Sequence, residues 1–279
     1  MNIGKYIEMY SRDLRLKNYS ENTIENYCSQ VKVFLERFQS VATKPSEISE
    51  QKIKQWLLEA NTVNLRKHRI SALKLFYKLT GKQPLKFKNI EYPRSEKKLP
   101  QVLSQDEVQK MFNVCENLKH KVILTLLYSC GLRVSELLNL QWKHIDRSRK
   151  IINIISGKGK KDRQVMLPDV VVLLLEKYWR AYKTKDFVLS GQFSEQYSSR
   201  SVSNVLKQLA AKAGVKKRVW THQMRHNCFT HMVENGTDIN LIQKLAGHNS
   251  VKTTMMYVQI SDSIVSKIQS PINSININL

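Results

Sequence analysis

The chain lacks the features that mark several large classes of protein. Its 279 residues include only 4 cysteines, and no two of them have CxxC spacing. Cys28, Cys115, Cys130 and Cys228 each stand in an apolar or helical context, so we interpret them as reduced, packed thiols rather than disulfides or zinc ligands. No apolar run approaches the roughly 20 residues that span a bilayer, and the first residues carry charge where a signal peptide needs an apolar stretch. We therefore expect a cytoplasmic protein without membrane contact.

Acidic residues are half as frequent as basic ones. The sequence holds 46 Lys+Arg and 23 Asp+Glu, a formal charge of +23. This excess predicts a polyanionic partner, with nucleic acid as the leading candidate. Residues 1–85 hold 15 Lys+Arg against 8 Asp+Glu, a balance of +7, and residues 86–279 carry the other +16. Because both halves carry an excess of positive charge, we expect both to contact the nucleic acid, one on each side of it like a clamp. Charge alone leaves a nonspecific binder as an alternative.

The first 85 residues predict a small bundle of four helices. Apolar positions recur with helical period over residues 3–17 and 20–39. Two more helices are expected, one after Ser49 and one that begins at Thr62 or Asn64, all three being suitable N-cap residues. We interpret residues 1–85 as one helical DNA-binding domain.

The fourth of these helices begins with a cluster of cations, Arg66, Lys67 and Arg69. A helix with its cations on one flank fits a major groove and can pair with phosphates. We predict DNA contacts here, and a solvated helix face is the alternative for any single residue.

A basic, proline-containing linker is predicted over residues 86–101, followed by a second domain over residues 102–279. Ser104 and Glu107 form a capping-box signature that opens its first helix. Later helices are expected at residues 121–130, 169–182, 201–213, 221–235, 238–246 and 250–266.

A small β-hairpin interrupts these helices. Residues 151–155 and 163–167 are apolar or β-branched runs on either side of a basic loop that contains Lys158, Lys160 and Lys161, a pattern typical of a hairpin. The predicted fold class is therefore mainly α with a small antiparallel β-sheet (α+β).

The candidate chemistry lies near the C-terminus, where His222, Arg225, His248 and Tyr257 follow one another. Residues three apart on a helix share a face, so His222 and Arg225 can point at the same oxygen. A phenol has an ordinary pKa of about 10, so Tyr257 would need cations around any phosphate that it attacks. The pattern indicates attack on a phosphodiester.

Two other kinds of site are disfavoured by what the motifs lack. Residues 157–159 read Gly-Lys-Gly, but the pattern GxxxxGK[ST] is absent, so ATP is not implied. His222 and His226 have the spacing of a zinc protease helix, yet position 223 is Gln where the general base would stand, and Arg225 would oppose a dication. A metalloprotease is a minor alternative, and we expect neither a metal nor another cofactor.

A family resemblance rests on six residues and their motifs. These are Arg133 in CGLRVSEL, Lys158 in GKGKKDR, His222 and Arg225 in THQMRH, His248 in LAGH, and Tyr257 in KTTMMY. In order and spacing they resemble the active-site positions of the tyrosine recombinase (phage integrase) family. The resemblance covers residues 102–268 strongly, while residues 1–85 more loosely resemble the family's helical core-binding domain. Ala246 stands where Leu is frequent and Cys228 where a small residue is common, but no active-site group is missing.

The resemblance implies a site-specific recombinase that cleaves and rejoins DNA through a covalent 3′-phosphotyrosine and a Holliday junction, without metal or nucleotide. It implies that Arg133 and Arg225 bind the reacting phosphate with help from His248. It also implies that His222 takes the proton of the Tyr257 phenol and that Lys158 protonates the leaving 5′ oxygen.

The resemblance also implies that the protein binds specific recombination sites in double-stranded DNA and acts as a homotetramer on two such sites. Accessory DNA-bending proteins are implied as further partners, and the protein is expected to be associated with the nucleoid. With no arm-binding domain before residue 1, the layout resembles that of Xer and integron integrase enzymes. Residues 269–279 are expected either to be disordered or to dock on a neighbouring protomer.

Two alternatives stay open, a type IB topoisomerase-like relaxing enzyme and a catalytically vestigial DNA-binding protein. Dimer resolution, integration or excision, and inversion remain equally open as the biological task.

Overall fold

The computed structural model describes residues 1–94, 100–155, 162–191 and 196–260. The chain forms two compact units, Met1–Lys97 and Lys98–Leu279. Among the described residues, no helix combines the length and the apolar character that crossing a bilayer requires.

The first unit is helical, and each of its α-helices begins at a side-chain cap. Asn2, Ser20, Ser49 and Thr62 each accept a hydrogen bond from a backbone amide in the following turn, which satisfies a donor that the helix itself leaves unpaired. The helices are α1 (Ile3–Leu16), α2 (Glu21–Phe38), α3 (Glu50–Leu58) and α4 (Val63–Leu79).

Aromatic rings dominate the core of the first unit. Tyr10, Phe34 and Phe76 are fully buried there, and several ring pairs meet edge to face, an arrangement that adds to the stabilisation from burial alone. The same core buries Phe87 and Ile90. Packing on the bundle therefore continues past residue 85 into the segment that the sequence predicts to be a linker, because these two apolar side chains gain burial there.

The second unit consists of helices and a small sheet. Its helices are α5 (Gln105–Asn113), α6 (Leu118–Ser129), α7 (Val134–Leu138), α8 (Asp169–Tyr182), α9 (Ser199–Lys212), α10 (Thr221–Glu234), α11 (Ile239–Ala246) and α12 (Val251–Ile260). The strands β1 (Ile145–Asp146), β2 (Ile151–Ile154) and β3 (Arg163–Met166) form an antiparallel sheet in the order β1-β2-β3. Mostly helical structure with a small antiparallel sheet confirms the predicted fold class.

Helix α10 is the central helix of the second unit. It packs against α6, α9, α11 and α12, and every residue from 223 to 231 is buried. Since neighbours surround it, its polar side chains must find partners inside the protein. The helix carries two of the candidate site residues, His222 and Arg225, and also His226.

Candidate active site

Arg225 is a fully buried cation in the middle of α10. Its Nη1 donates to the Gly131 carbonyl oxygen at 2.5 Å, and its Nη2 donates to the Ala246 carbonyl oxygen. The guanidinium lies over the Phe229 ring, 4.8 Å from the ring centroid. Burial, together with the charge of Arg133, lowers the pKa of Arg225 to about 10, so the side chain is still a cation at neutral pH.

Gly131 provides one of these acceptors, and only glycine fits its position. Its φ is +58°, and an added Cβ would lie 2.7 Å from the Phe229 Cζ atom. Glycine adopts left-handed backbone without steric cost and leaves room for the ring. The backbone conformation at Gly131 thus brings a carbonyl group to Arg225.

Arg133 precedes the short helix α7 and shares a carboxylate with Arg163. Glu136 accepts from Arg133 Nη1 at 2.8 Å, from Arg163 Nη1 at 2.5 Å and from Arg163 Nη2 at 2.8 Å. Burial alone would raise the pKa of Glu136, but the hydrogen bonds and charge of Arg163, with those of Arg133, lower it to about 2. The carboxylate therefore stays ionised and fixes both guanidiniums.

The C-terminal end of α11 collects three arginines. The Leu245 carbonyl oxygen accepts from Arg163 Nε at 2.8 Å, and the Ala246 carbonyl oxygen accepts from Arg133 Nη2 at 3.1 Å and from Arg225. The last carbonyls of a helix have no partner within the helix and carry partial negative charge, so cations stabilise them. The helix end thereby holds Arg133, Arg163 and Arg225 close together.

The turn after α11 presents His248. Gly247 caps the helix in the left-handed conformation, with φ 61°, as is common at helix C-termini. His248 Nδ1 lies 3.0 Å from the Thr254 hydroxyl of α12, which fixes the ring against that helix. Partial burial, followed by the charges of Arg225 and Arg133, lowers the pKa of His248 to about 4, so the imidazole is neutral at pH 7.

Tyr257 on α12 lies against this cluster and is only 1% exposed. Its ring stacks on His248 with 6.1 Å between centroids and packs against His226 at 5.7 Å and Phe229 at 5.5 Å. Burial raises the pKa of Tyr257 to about 12, while the charges of Arg225 and Arg133 oppose this rise. The phenol is thus protonated at rest and is flanked by guanidiniums.

The two histidines at the start of α10 have different environments. His222 is exposed, whereas His226 is buried, and their rings meet edge to face at 4.6 Å. Desolvation lowers the pKa of both imidazoles, with the Arg225 charge contributing in each case, and that of His226 falls to about 4. The environment thus favours the neutral imidazole at both positions.

The structure thus brings together most of the predicted site residues: Arg133, His222, Arg225, His248 and Tyr257. The loop lysines Lys158, Lys160 and Lys161 lie outside the described residues. Arg163 and Glu136 were missed as site residues by sequence reasoning, although both stand inside the quoted motifs GKGKKDR and CGLRVSEL. The spacing Arg133–Glu136, three residues apart, was a signal for an ion pair.

The predicted DNA-contacting arginines of α4 are partly engaged within the first unit. Arg66 Nε donates to the Leu57 carbonyl oxygen at 3.2 Å, and Arg69 Nη1 donates to the Trp56 carbonyl oxygen at 3.0 Å. The Arg69 guanidinium also lies 4.1 Å from the Trp56 ring centroid. Both side chains therefore tie α4 to the C-terminal end of α3, besides any contact with DNA.

Comparison with known proteins finds a family match in each unit. Residues 101–263 match the phage integrase family, and residues 7–86 match the phage integrase N-terminal SAM-like domain. The tyrosine recombinase XerA of Pyrococcus horikoshii is 33% identical over 261 residues, which cover 91% of this chain and 89% of that protein.

Two solved structures share the fold. A crystal structure of XerA recombinase aligns with a TM-score of 0.57 and 27% identity, covering 95% of this chain and 97% of that one. The XerH site-specific recombinase, bound to its palindromic difH substrate, aligns with a TM-score of 0.72 and 20% identity over 90% of this chain and 80% of that one. The chain belongs to the phage integrase family and is a tyrosine-type site-specific DNA recombinase.

Proposed function

We propose that the protein recombines specific DNA sites by cleaving and rejoining strands through a covalent bond between Tyr257 and a DNA 3′-phosphate. The observation that carries this proposal is the juxtaposition of one phenol with the buried guanidinium of Arg225 and the half-buried one of Arg133. A phosphodiester is an anion that gains negative charge on its non-bridging oxygens as it is attacked, and preorganised cations stabilise that charge.

The charge balance of the cluster favours an anionic ligand. Among the residues that the structure describes, Arg133 and Arg163 share one carboxylate, Glu136, and Arg225 adds a third cation without an ion pair to it. The Arg225 Nε atom is buried and has no hydrogen-bond partner within the described residues. Burying cations without enough counter-charge is costly, and a phosphate provides both the missing charge and the missing acceptors. Arg133 and Arg225 would bind its oxygens, with His248 as a further donor.

The reaction step follows from this placement. The Tyr257 oxygen attacks phosphorus, a phosphorus–oxygen bond to Tyr257 forms, and the bond from phosphorus to the 5′ oxygen breaks. The phenol proton passes to His222, and the leaving 5′ oxygen takes a proton from Lys158. These individual roles rest on the family resemblance. Because the phosphotyrosine ester retains the energy of the broken bond, a 5′ hydroxyl from another strand can reverse the step without ATP or metal.

Recombination requires this step on four strands. We expect strand exchange through a Holliday junction by a homotetramer on two DNA sites, with help from DNA-bending proteins. The basic side chains predicted to contact the duplex are Arg66, Lys67, Arg69, Lys160 and Lys161. Membership of the tyrosine recombinase family supports this scheme.

The test is trapping of the covalent complex on DNA. Duplexes from the DNA that flanks the gene of this protein are nicked so that the cleaved fragment diffuses away, and protein attached to DNA is separated on a denaturing gel. Wild-type protein is expected to form the adduct. Tyr257→Phe is expected to form none while binding the same DNA, because it lacks only the nucleophilic oxygen. Tyr182→Phe, at a partly exposed tyrosine of α8, is the matched control and is expected to react like wild type.

The outcomes separate the alternatives. An adduct formed by Tyr257→Phe would remove Tyr257 as the nucleophile. Wild-type protein that binds these duplexes but never forms an adduct would indicate a vestigial site. Relaxation of a supercoiled plasmid that carries the flanking DNA, without any recombined product when its junctions are sequenced, would favour the topoisomerase alternative.

A further inference from the structure

We propose that Arg163 is a positioning residue for strand cleavage, one that holds both the His248 turn and Arg133 in the geometry the phosphate requires. This inference rests on the function proposed above. Arg163 is not among the six groups assigned a chemical role, and no hydrogen bond links it to Tyr257. It acts through the groups that it holds.

Arg163 is almost completely buried and uses every nitrogen of its guanidinium. Its side chain is 6% exposed. Nη1 and Nη2 bind the two oxygens of Glu136, at 2.5 and 2.8 Å, while Nε binds the Leu245 carbonyl oxygen at 2.8 Å. A planar guanidinium that makes a bidentate carboxylate contact and a third bond in the same plane has one orientation. The residue therefore fixes β3, the start of α7 and the end of α11 relative to one another.

Each of these contacts leads to a group with a proposed chemical role. Glu136 is the carboxylate that also binds Arg133 Nη1, so the orientation of Arg133 depends on where Arg163 holds Glu136. Leu245 is the second residue before Gly247, and His248 follows directly. Fixing the Leu245 carbonyl therefore fixes the point from which the His248 turn begins.

Packing against Gly247 gives independent evidence that this geometry is constrained. A Cβ added at Gly247 would lie 2.9 Å from Arg163 Cδ. The left-handed conformation at Gly247 already favours glycine, and the arginine stem occupies the space where a side chain would be. The turn and the arginine thus fit together, and a change in either one displaces the other.

The test is Arg163→Lys in the full-length protein, because lysine keeps the positive charge but offers one ammonium group in place of the planar fork. A misplacement of about 1 Å can cost about 100-fold in rate. We therefore expect the single-turnover rate of adduct formation at saturating DNA to fall by about 100-fold, while the DNA dissociation constant stays near the wild-type value and the variant remains folded at the assay temperature. This split separates positioning from a general loss of structure.

Three further variants complete the experiment. Arg147→Lys is the matched control, because Arg147 binds Glu176 at 3.0 Å on the surface of the same unit, and its adduct should form at the wild-type rate. Gly247→Ala should slow adduct formation in wild-type protein but add little in the Arg163→Lys background, because both changes disturb one contact.

Three results would decide against the proposal in different ways. A wild-type cleavage rate for Arg163→Lys would overturn the positioning role while leaving the proposed function intact. A loss of DNA affinity or melting temperature that accounts for the whole loss of rate would reduce Arg163 to a structural residue. Absence of an adduct with wild-type protein on DNA that it binds would instead contradict the proposed function itself.

Discussion

His226 illustrates how burial controls a titratable group in this site. The ring packs against both His222 and Tyr257, and its Nδ1 is buried with no hydrogen-bond partner among the described residues. Burial, with the charges of its neighbours, lowers its pKa to about 4. The folded protein thus keeps the imidazole neutral under conditions in which the unfolded chain, with an ordinary histidine pKa of about 6.5, is protonated.

We predict that His226→Asn reduces the loss of unfolding free energy that accompanies a fall in pH from 7 to 4. The pKa of His226 is lower in the folded protein than in the unfolded chain. The neutral ring therefore contributes fully to the free energy of unfolding above about pH 6.5, and this contribution is lost as the pH falls toward 4. The loss amounts to about 3 kcal/mol. The measurement is the free energy of unfolding in urea between pH 7 and pH 4. Wild type should lose more stability than the variant over this window. Parallel curves for the two proteins would show that His226 is not the group responsible.

At the residue scale, the sequence predicted groups that belong to a spaced motif and missed those that act through packing. Arg225 and His248 were identified because their motifs and spacing are specific. Arg163 gave no such signal, since an arginine at the first position of a strand is unremarkable until α11 brings the Leu245 carbonyl to it. Nor could the sequence predict that Tyr257 is buried, because this depends on how α12 packs against α10.

At the scale of elements, the junction of α3 and α4 shows why cations on a helix do not by themselves define a DNA surface. Arg66 and Arg69 donate to the Leu57 and Trp56 carbonyls near the end of α3. Carbonyls at a helix C-terminus lack partners within the helix, and basic side chains satisfy them. These two arginines therefore stabilise the bundle, whatever they contribute to binding.

We predict that Arg69→Met lowers the free energy of unfolding of the full chain by about 2 kcal/mol, since it removes a charged hydrogen bond and a cation–π contact. Lys78→Met, at an exposed position on the same helix, is the control and should change stability little. Urea unfolding followed by fluorescence measures both. Equal stabilities for the two variants would mean that the Arg69 contacts do not stabilise the bundle.

Most element boundaries followed from local signals. The caps Ser20, Thr62 and Ser104 begin helices where the sequence predicts them, because a side-chain acceptor at that position offsets an unpaired amide. Strand β1 was missed, since two residues are too few to show alternation, and it forms only by pairing with β2. The buried polar face of α10 was equally hidden, because its partners come from distant segments.

At the scale of the whole molecule, the positive charge is divided between the two units. Residues 1–85 carry +7 of the total +23. Binding of a basic protein to DNA releases counterions, so the affinity falls with salt in proportion to the number of phosphates contacted. The salt slope therefore reports whether one unit or both contact the duplex.

We predict that Lys67→Ala and Lys160→Ala each reduce the slope of log affinity against log salt by about 1, and that the double variant reduces it by about 2. Tyr257→Phe serves as the background, so that cleavage does not disturb the binding measurement. Fluorescence anisotropy with a duplex from the flanking DNA provides the slopes. A change from only one of the two substitutions would contradict binding by both units.

The burial of Tyr257 sets a condition on when this enzyme can cut. With 1% of the residue exposed, a phosphodiester that drifts past the unbound protein meets no reachable phenol. A strongly cationic protein binds many DNA segments through charge alone. With the proposed nucleophile buried, such encounters would leave the strand intact, and cleavage would require a rearrangement that exposes the phenol.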